Sequence, residues 1–245
     1  MSILDVLSSH LRPFVLLFTS LSHLPGALLA RRDADSPSLR ESWFLRLWLE
    51  ISPFIRESAS PRVAALLQGR SSRGAVTDEA VHEPVGGRVL EIGAGTGVWA
   101  KLIAEQPGVE TVFGIEPNRA SGKALRGVVK KEGLEGKYVV VPAGIEDAGE
   151  WVERGSVDCV VTVLCMCSIP DPQRIAKEVY GYLKPGGRWY VMEHVKTEGT
   201  GWWMRFYQCT FSSFPDFSAQ SLSPISSFFH QLQIMIKYAN AKQLS

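Results

Sequence analysis

The chain has 245 residues, of which 45% are hydrophobic and 21% are charged. This balance supports a packed core and excludes a globally disordered chain. The 26 basic and 25 acidic residues give a formal net charge of +1, so there is no chain-wide basic excess of the kind that indicates nucleic-acid binding. The four cysteines do not form the spaced framework of a small secreted protein, and we expect an intracellular, reducing location.

The first segment, residues 1–35, is apolar and ends in a basic pair. No charged residue lies between Pro13 and Ala30, and Arg31 and Arg32 follow directly. The stretch approaches the length of a membrane span, but prolines, a glycine and polar residues interrupt it. We therefore expect an interfacial membrane anchor, with a packed or re-entrant helix and a true span as alternatives. The arginines favour a protein domain on the cytosolic side of the membrane.

The second segment, residues 36–85, is predicted to be an amphipathic helix followed by a linker. Ser38 and Glu41 have the spacing of a capping box. Apolar residues then recur at helical spacing, namely Phe44, Leu47, Trp48 and Ile51. This pattern favours a helix that faces the core, with a lid as the alternative. Residues 68–85 are rich in glycine, serine and charge, which is typical of a linker.

The third segment, residues 86–208, alternates strand and helix patterns. The predicted strands are 88–92, 111–115, 138–141, 157–164 and 189–193, and the predicted helices are 98–105, 119–132 and one that begins at Pro172 after an Asp171 cap. This alternation predicts an α/β fold with a doubly wound, mostly parallel, Rossmann-like sheet and helices on both of its faces. The fourth segment, residues 209–245, is Ser-rich and shows no clear pair of strands.

A glycine loop follows the first strand of the sheet. Gly93, Gly95 and Gly97 alternate with small residues, which allows a tight turn and a close approach of a ligand to the backbone. A dinucleotide fingerprint needs its third glycine at position 98, where this chain has Val98. No Lys-Ser/Thr pair follows, so the loop is not a P-loop.

Acidic and small residues follow the next two strands. Glu116 directly follows the second strand, where a carboxylate can accept both hydroxyl hydrogens of a ribose; a solvated turn residue is the alternative. Gly144, Ile145 and Glu146 follow the third strand. Backbone groups there can bind an adenine edge while Ile145 covers the ring. A helix cap by Glu146 or Asp147 is compatible with that role.

Three cysteines lie in or just after the fourth strand. Cys159, Cys165 and Cys167 share parity, so they share a face while the chain stays extended. The CxC spacing and the lack of a nearby histidine do not fit a zinc site, and we predict no metal. Buried apolar thiols are the favoured interpretation.

Taken together, these motifs resemble a known family. The run from Arg88 to Val195 is similar to the class I S-adenosylmethionine-dependent methyltransferases, in particular to the type 11 methyltransferase domain. The matching motifs are VLEIGAGTG, GIEPN, AGIEDA, GSVDCVVTVLCMCSI and LKPGGRWYVMEHV. The last two are similar to a membrane-associated subgroup that includes thiol methyltransferases of the endoplasmic reticulum, so the resemblance adds that membrane to the candidate locations.

The resemblance implies S-adenosylmethionine as the cofactor and a role for each motif. The implied cofactor-binding residues are Glu91 (fixing the loop), Gly93, Gly95 and Gly97 (the amino-acid end), Glu116 (the ribose), Gly144, Ile145 and Glu146 (the adenine), and Leu164 and Cys165 (the methionyl part). Glu193 and His194 would face the acceptor. His194 is the candidate catalytic base, with a structural histidine as the alternative.

The function expected is methyl transfer to a small, apolar acceptor such as a thiol, lipid, quinone or phenol. The apolar N-terminus, Trp202 and Trp203 suggest this class of acceptor. The family usually ends in an antiparallel hairpin, which residues 209–245 do not provide, so we expect that hairpin to be missing or altered. A non-catalytic cofactor-binding or membrane-surface protein is therefore the alternative. A nicotinamide-dependent oxidoreductase is disfavoured by Val98 and by the lack of a Tyr-x-x-x-Lys pair. No oligomeric state is predicted.

Overall fold

The computed structural model describes residues 18–30, 38–72, 74–166, 169, 171–195 and 233–240. Two units divide the chain: residues 1–50 with 194–233, and residues 51–193 with 234–245. The first unit contains a short helix, α1 (Leu24–Leu29), and the start of a long one, α2 (Leu39–Leu67). None of the described helices combines the length and the apolarity that a membrane crossing needs.

Helix α2 begins at the capping box that the sequence predicts. The Ser38 backbone N–H donates to Glu41 Oε2 at 2.8 Å, and the Glu41 N–H donates back to Ser38 Oγ at 3.2 Å. This reciprocal pair satisfies two amide donors that the first helical turn would otherwise leave unpaired. The helix then runs for 29 residues, through Pro53 and Pro61.

The predicted linker contains a small structured element. Strands β1 (Ser71–Ser72) and β2 (Ala75–Val76) pair antiparallel, with Gly74 at a φ of 86° between them. These strands lie within residues 68–85, which the sequence predicts as a linker. A two-residue strand is too short to leave a period-2 pattern in the sequence, which is why the composition alone suggested a linker.

The second unit contains a sheet with the strand order β5-β4-β3-β6-β7-β8. Its strands are β3 (Gly86–Ile92), β4 (Gly108–Ile115), β5 (Tyr138–Val141), β6 (Val157–Val163), β7 (Leu183–Val195) and β8 (Gln233–Asn240). The pairs β3–β4, β4–β5, β3–β6 and β6–β7 are all parallel. The intervening helices are α3 (Ala100–Ala104), α4 (Arg119–Lys131), a 3-10 helix (Ile145–Glu150) and α5 (Pro172–Tyr182).

The core lies on both faces of this sheet. On one face, Leu90 and Ile92 of β3 belong to a buried cluster with Ile175 and Val179 of α5. Val89 alternates to the other face and is fully buried as well, and α3 and α4 pack against β4 and β5. The doubly wound, mostly parallel fold predicted from the sequence is confirmed.

Two details of the strands differ from the sequence expectation. Strand β7 begins at Leu183 rather than at the predicted residue 189. It therefore includes the Lys-Pro-Gly-Gly run, which a register shift accommodates, with Val157 opposite Leu183 and Cys159 opposite Arg188. The Ser-rich tail also supplies one strand, β8, which lies beside β7. No strand was predicted there, since the run around it lacks a clear alternation of apolar and polar residues.

Candidate functional site

The site lies where the order of the strands reverses. From β3 the chain builds outward through β4 and β5, then crosses back to place β6 on the other side of β3. In such sheets the loops after the two strands at the reversal diverge and leave a crevice at the carboxyl ends. The predicted cofactor residues come from the ends of β3, β4, β5 and β6, and this topology brings those ends to one edge.

The glycine loop after β3 adopts a backbone that needs glycine. Gly93, Gly95 and Gly97 have φ values of 68°, 57° and 85°. A Cβ on Gly93 would lie 2.5 Å from Cys165 Cβ, and one on Gly97 would lie 2.9 Å from a Leu125 methyl carbon. The loop therefore requires a left-handed backbone at all three glycines, and a lack of side chain at Gly93 and Gly97.

Glu116, which directly follows β4, is hydrogen-bonded to this loop. Its Oε2 accepts the Gly95 N–H at 2.7 Å, and its Oε1 accepts the Asn118 N–H at 2.8 Å. The side chain is only 7% exposed. The structure thus brings together the glycine loop and the acid that sequence analysis paired with it, although they are 21 residues apart along the chain.

Glu91 lies at the base of the loop, and its carboxyl group accepts a hydrogen bond from a side chain two strands away in the sheet. The Tyr138 hydroxyl donates to Glu91 Oε2 at 2.5 Å. Gly114 is paired with Glu91 in the register of β3 and β4, and a Cβ there would overlap that hydroxyl. Burial raises the pKa of Glu91 to about 7; the bond from Tyr138 opposes this rise, and the nearby charge of Glu116 adds to it.

Tyr138 is a site residue that the sequence analysis missed. The sequence pattern identifies it only as the first residue of the third predicted strand. Its place beside Glu91 depends on the order β3-β4-β5 and on the small Gly114 between them, which together allow its hydroxyl to cross one strand. The one available signal was a glycine in the middle of an apolar strand, which often marks a close approach of another group.

The segment after β5 lies at the same edge of the sheet. Gly144 precedes the 3-10 helix and has an extended backbone, and Ile145 belongs to the buried core. The Ile145 carbonyl accepts the Tyr182 hydroxyl at 3.1 Å, while Glu146 is exposed. Glu146 and Asp147 occupy the first turn of this helix, where acidic side chains are favoured by the helix dipole.

The loop after β6 faces the glycine loop. Strand β6 ends at Val163, and Leu164 has a φ of 55°, a left-handed conformation that costs a leucine roughly 1–2 kcal/mol. The chain therefore turns before Cys165, and the shared face expected for the cysteines ends there. Cys165 packs against Gly93, and Cys159 is fully buried in β6.

Glu193 holds this loop from the end of β7. Its Oε1 accepts the Cys165 N–H at 3.1 Å and the Cys165 thiol at 3.4 Å, and its Oε2 accepts the Met166 N–H at 3.2 Å. Desolvation by burial raises the pKa of this carboxyl to about 7, against the opposing effect of these hydrogen bonds. Its carboxylate thus faces the loop backbone.

Three predicted acceptor-side residues are not placed. The backbone of His194 belongs to β7, but its side chain lies outside the described part of the chain. Trp202 and Trp203 also lie outside the described residues.

Comparison with known proteins agrees with this geometry. Residues 56–225 match the methyltransferase domain family. The thiol S-methyltransferase TMT1A of Homo sapiens is 39% identical over 115 residues, which are 46% of this chain and 45% of that protein. The thiol S-methyltransferase TMT1B of Homo sapiens is 30% identical over 218 residues, 87% of this chain and 82% of that protein. The chain thus spans less than half of TMT1A but most of TMT1B.

A solved structure shares the fold. It is a Methanococcus maripaludis protein assigned to the S-adenosyl-L-methionine-dependent methyltransferases, with a TM-score of 0.50 and 17% identity. The match covers 61% of this chain and 62% of that one.

Proposed function

The chain belongs to the S-adenosylmethionine-dependent methyltransferase family, and we propose that it methylates a small, apolar acceptor, with a thiol as the first candidate. The observation that carries the proposal is the Glu116 carboxylate bonded to Gly95 across the glycine loop. A glycine loop closed by a carboxylate, at the reversal of a parallel sheet, supplies both close backbone approach and acceptors for a ribose.

Each part of the edge takes one part of the cofactor in this proposal. The glycine loop holds the amino-acid end, Glu91 supports that loop from below, and Glu116 accepts the ribose hydroxyls. The adenine lies at Gly144, Ile145 and Glu146, and the methionyl part lies against Leu164 and Cys165. Bound S-adenosylmethionine supplies an electrophilic methyl group on its sulfonium sulfur.

The protein's own contribution to the chemistry is orientation. Holding an acceptor in line with the methyl group can supply on the order of 7–11 kcal/mol of the barrier. A thiol reacts as its thiolate and can lose its proton to water near neutral pH, whereas a hydroxyl acceptor needs a positioned base. We assign that base to His194, whose residue type titrates near neutral pH.

The thiol assignment has support from the names of two relatives, which are thiol S-methyltransferases. The experiment is transfer of radiolabelled methyl groups to a panel of small thiols, phenols, quinones and lipids. We expect the highest kcat/KM with an apolar thiol. His194→Ala should retain thiol methylation and lose phenol methylation.

Two results would contradict this proposal. Methylation of large polymers, without methylation of any small molecule, would exclude small molecules as the acceptor class. Cofactor binding without turnover on any acceptor would instead favour a non-catalytic binding protein. Glu116→Ala, in which we expect weaker cofactor binding, serves as the control with reduced activity in each assay.

We also propose that residues 1–35 attach the protein to an intracellular membrane surface, with its enzyme domain on the cytosolic side. Phe18 and Leu29 are 75% and 76% exposed, and Leu28 is exposed as well, so the described part of this segment presents apolar side chains. Flotation with phospholipid vesicles tests the proposal. The full chain should float and a chain lacking residues 1–35 should not; equal flotation of both would remove the anchor.

A further inference from the structure

The loop after β6 is fixed by the last residues of β7 through three consecutive amides. The Leu164 N–H donates to the Met192 carbonyl at 2.8 Å. The next two amides, of Cys165 and Met166, donate to the two oxygens of Glu193. The main chain of β7 thus holds the first amide, and a single side chain holds the other two.

No other side chain of the same size could accept the same set of hydrogen bonds as the Glu193 carboxyl group. It is 4% exposed, so water does not substitute for it readily. Each of its oxygens accepts one backbone N–H, and Oε1 also accepts the Cys165 thiol. A carboxamide of the same size would turn its NH₂ group toward one of those amide donors and lose that bond.

The held loop is one wall of the crevice. Cys165 lies so close to Gly93 that a Cβ on the glycine would come within 2.5 Å of Cys165 Cβ. Leu164 has a left-handed backbone, which is unfavourable for a leucine and is maintained by the hydrogen bonds around it. A change at Glu193 should therefore shift the wall opposite the first glycine of the loop, whereas Glu116 is held separately by the amides of Gly95 and Asn118.

We propose that Glu193 is a positioning residue for the methionyl end of the cofactor, acting through the backbone of Cys165 and Met166. The inference rests on the proposed function, since it assigns that end of the cofactor to this crevice. Glu193 does not itself touch the reacting atoms. Its loss should weaken the binding of ligands that carry the amino-acid chain and spare those that carry only the adenosine part.

The experiment compares two ligands by calorimetry on the full chain. S-adenosylhomocysteine contains the amino-acid chain, whereas 5′-methylthioadenosine lacks it. At about pH 8.5, where Glu193 is ionised, we expect the Kd of S-adenosylhomocysteine for Glu193→Gln to rise about tenfold, the effect of losing one hydrogen bond to a charged group. The Kd of 5′-methylthioadenosine should stay within about twofold. Glu132→Gln, a surface carboxyl bonded to Lys101, is the matched control and should change neither.

The outcomes separate this inference from the proposed function. An unchanged Kd for both ligands, or an equal rise for both, overturns the role of Glu193 while the proposed function stands. A wild-type chain that binds neither ligand overturns the proposed function and the inference with it. If Glu193→Gln does not fold, Glu193→Asp keeps the charge but is one methylene shorter, and it should show the same selective loss; equal effects on both ligands would again overturn the role.

Discussion

Glu91 and Glu193 are buried carboxyl groups whose pKa values are raised to about 7, in both cases mainly by desolvation. Their ordinary value is 4.5. At pH values between 4.5 and about 7, these two carboxyl groups keep their protons in the folded protein but have released them in the unfolded chain. The free energy of unfolding therefore falls as the pH rises through this window and levels off above it. At 1.36 kcal/mol per pKa unit, each group accounts for at most about 3 kcal/mol.

Replacing Glu91 with glutamine removes its share of this pH dependence. The carboxamide oxygen can still accept the Tyr138 hydroxyl, and it carries no charge to desolvate. In urea unfolding, the wild type should lose stability between about pH 5 and about pH 7.5, and Glu91→Gln should lose up to about 3 kcal/mol less. The exposed Glu135→Gln is the control. An identical slope for Glu91→Gln and wild type would show that Glu91 is ionised throughout.

Gly93 and Gly127 give opposite predictions for the same substitution. Gly93→Ala places a Cβ against Cys165 at a φ of 68°, so we expect lost stability and no measurable binding of S-adenosylhomocysteine. Gly127 lies within α4 with nothing within 4 Å of an added Cβ. Gly127→Ala should therefore stabilise the protein by about 0.5–1 kcal/mol and leave binding unchanged. Normal binding by Gly93→Ala would mean that the loop does not contact the ligand.

At the scale of elements, α4 depends on its N-cap. The Asn118 side chain accepts the amides of Ala120 at 2.9 Å and Ser121 at 3.1 Å. Asn118→Ala should cost about 1 kcal/mol in urea unfolding, whereas Asn118→Asp keeps an accepting oxygen and should cost little. Equal losses for the two variants would show that the cap is not what stabilises this helix.

The sequence predicted the elements better than the contacts between them. Local signals such as the Ser38–Glu41 box and the apolar run of β3 predicted elements that the structure contains, because capping and periodicity act over a few residues. The pairing of Tyr138 with Glu91 depends on strand order. The turn at Leu164 is stabilised by β7, far along the chain, and no local pattern at a leucine indicates a left-handed backbone.

The candidate site was predictable to the same extent. A tight loop after one strand and an acid after the next strand require a particular spacing of residues. The sequence shows that spacing at Gly93, Gly95, Gly97 and Glu116, and the structure brings these residues together. The bonding of Glu193 was not predicted, since the side chain of a strand-end acid can face either the acceptor or the backbone. Only the position of the loop after β6 decides between the two.

For the whole molecule, the sheet depends on β8 to cover β7. A strand left at the edge exposes unpaired backbone groups that favour aggregation. Deleting residues 233–245 should lower the Tm and produce aggregates in size-exclusion chromatography, while deleting 241–245, beyond β8, should change neither. A monodisperse protein with unchanged Tm after the longer deletion would show that β7 tolerates an open edge.

The central claim is that the glycine loop and Glu116 together bind S-adenosylmethionine, and calorimetry with S-adenosylhomocysteine tests it most directly. We predict saturable binding at one site by the wild type, and at least about tenfold weaker binding by Glu116→Ala, which loses hydrogen bonds to a charged group. No heat of binding with the wild type, or equal affinity in Glu116→Ala, would contradict the account.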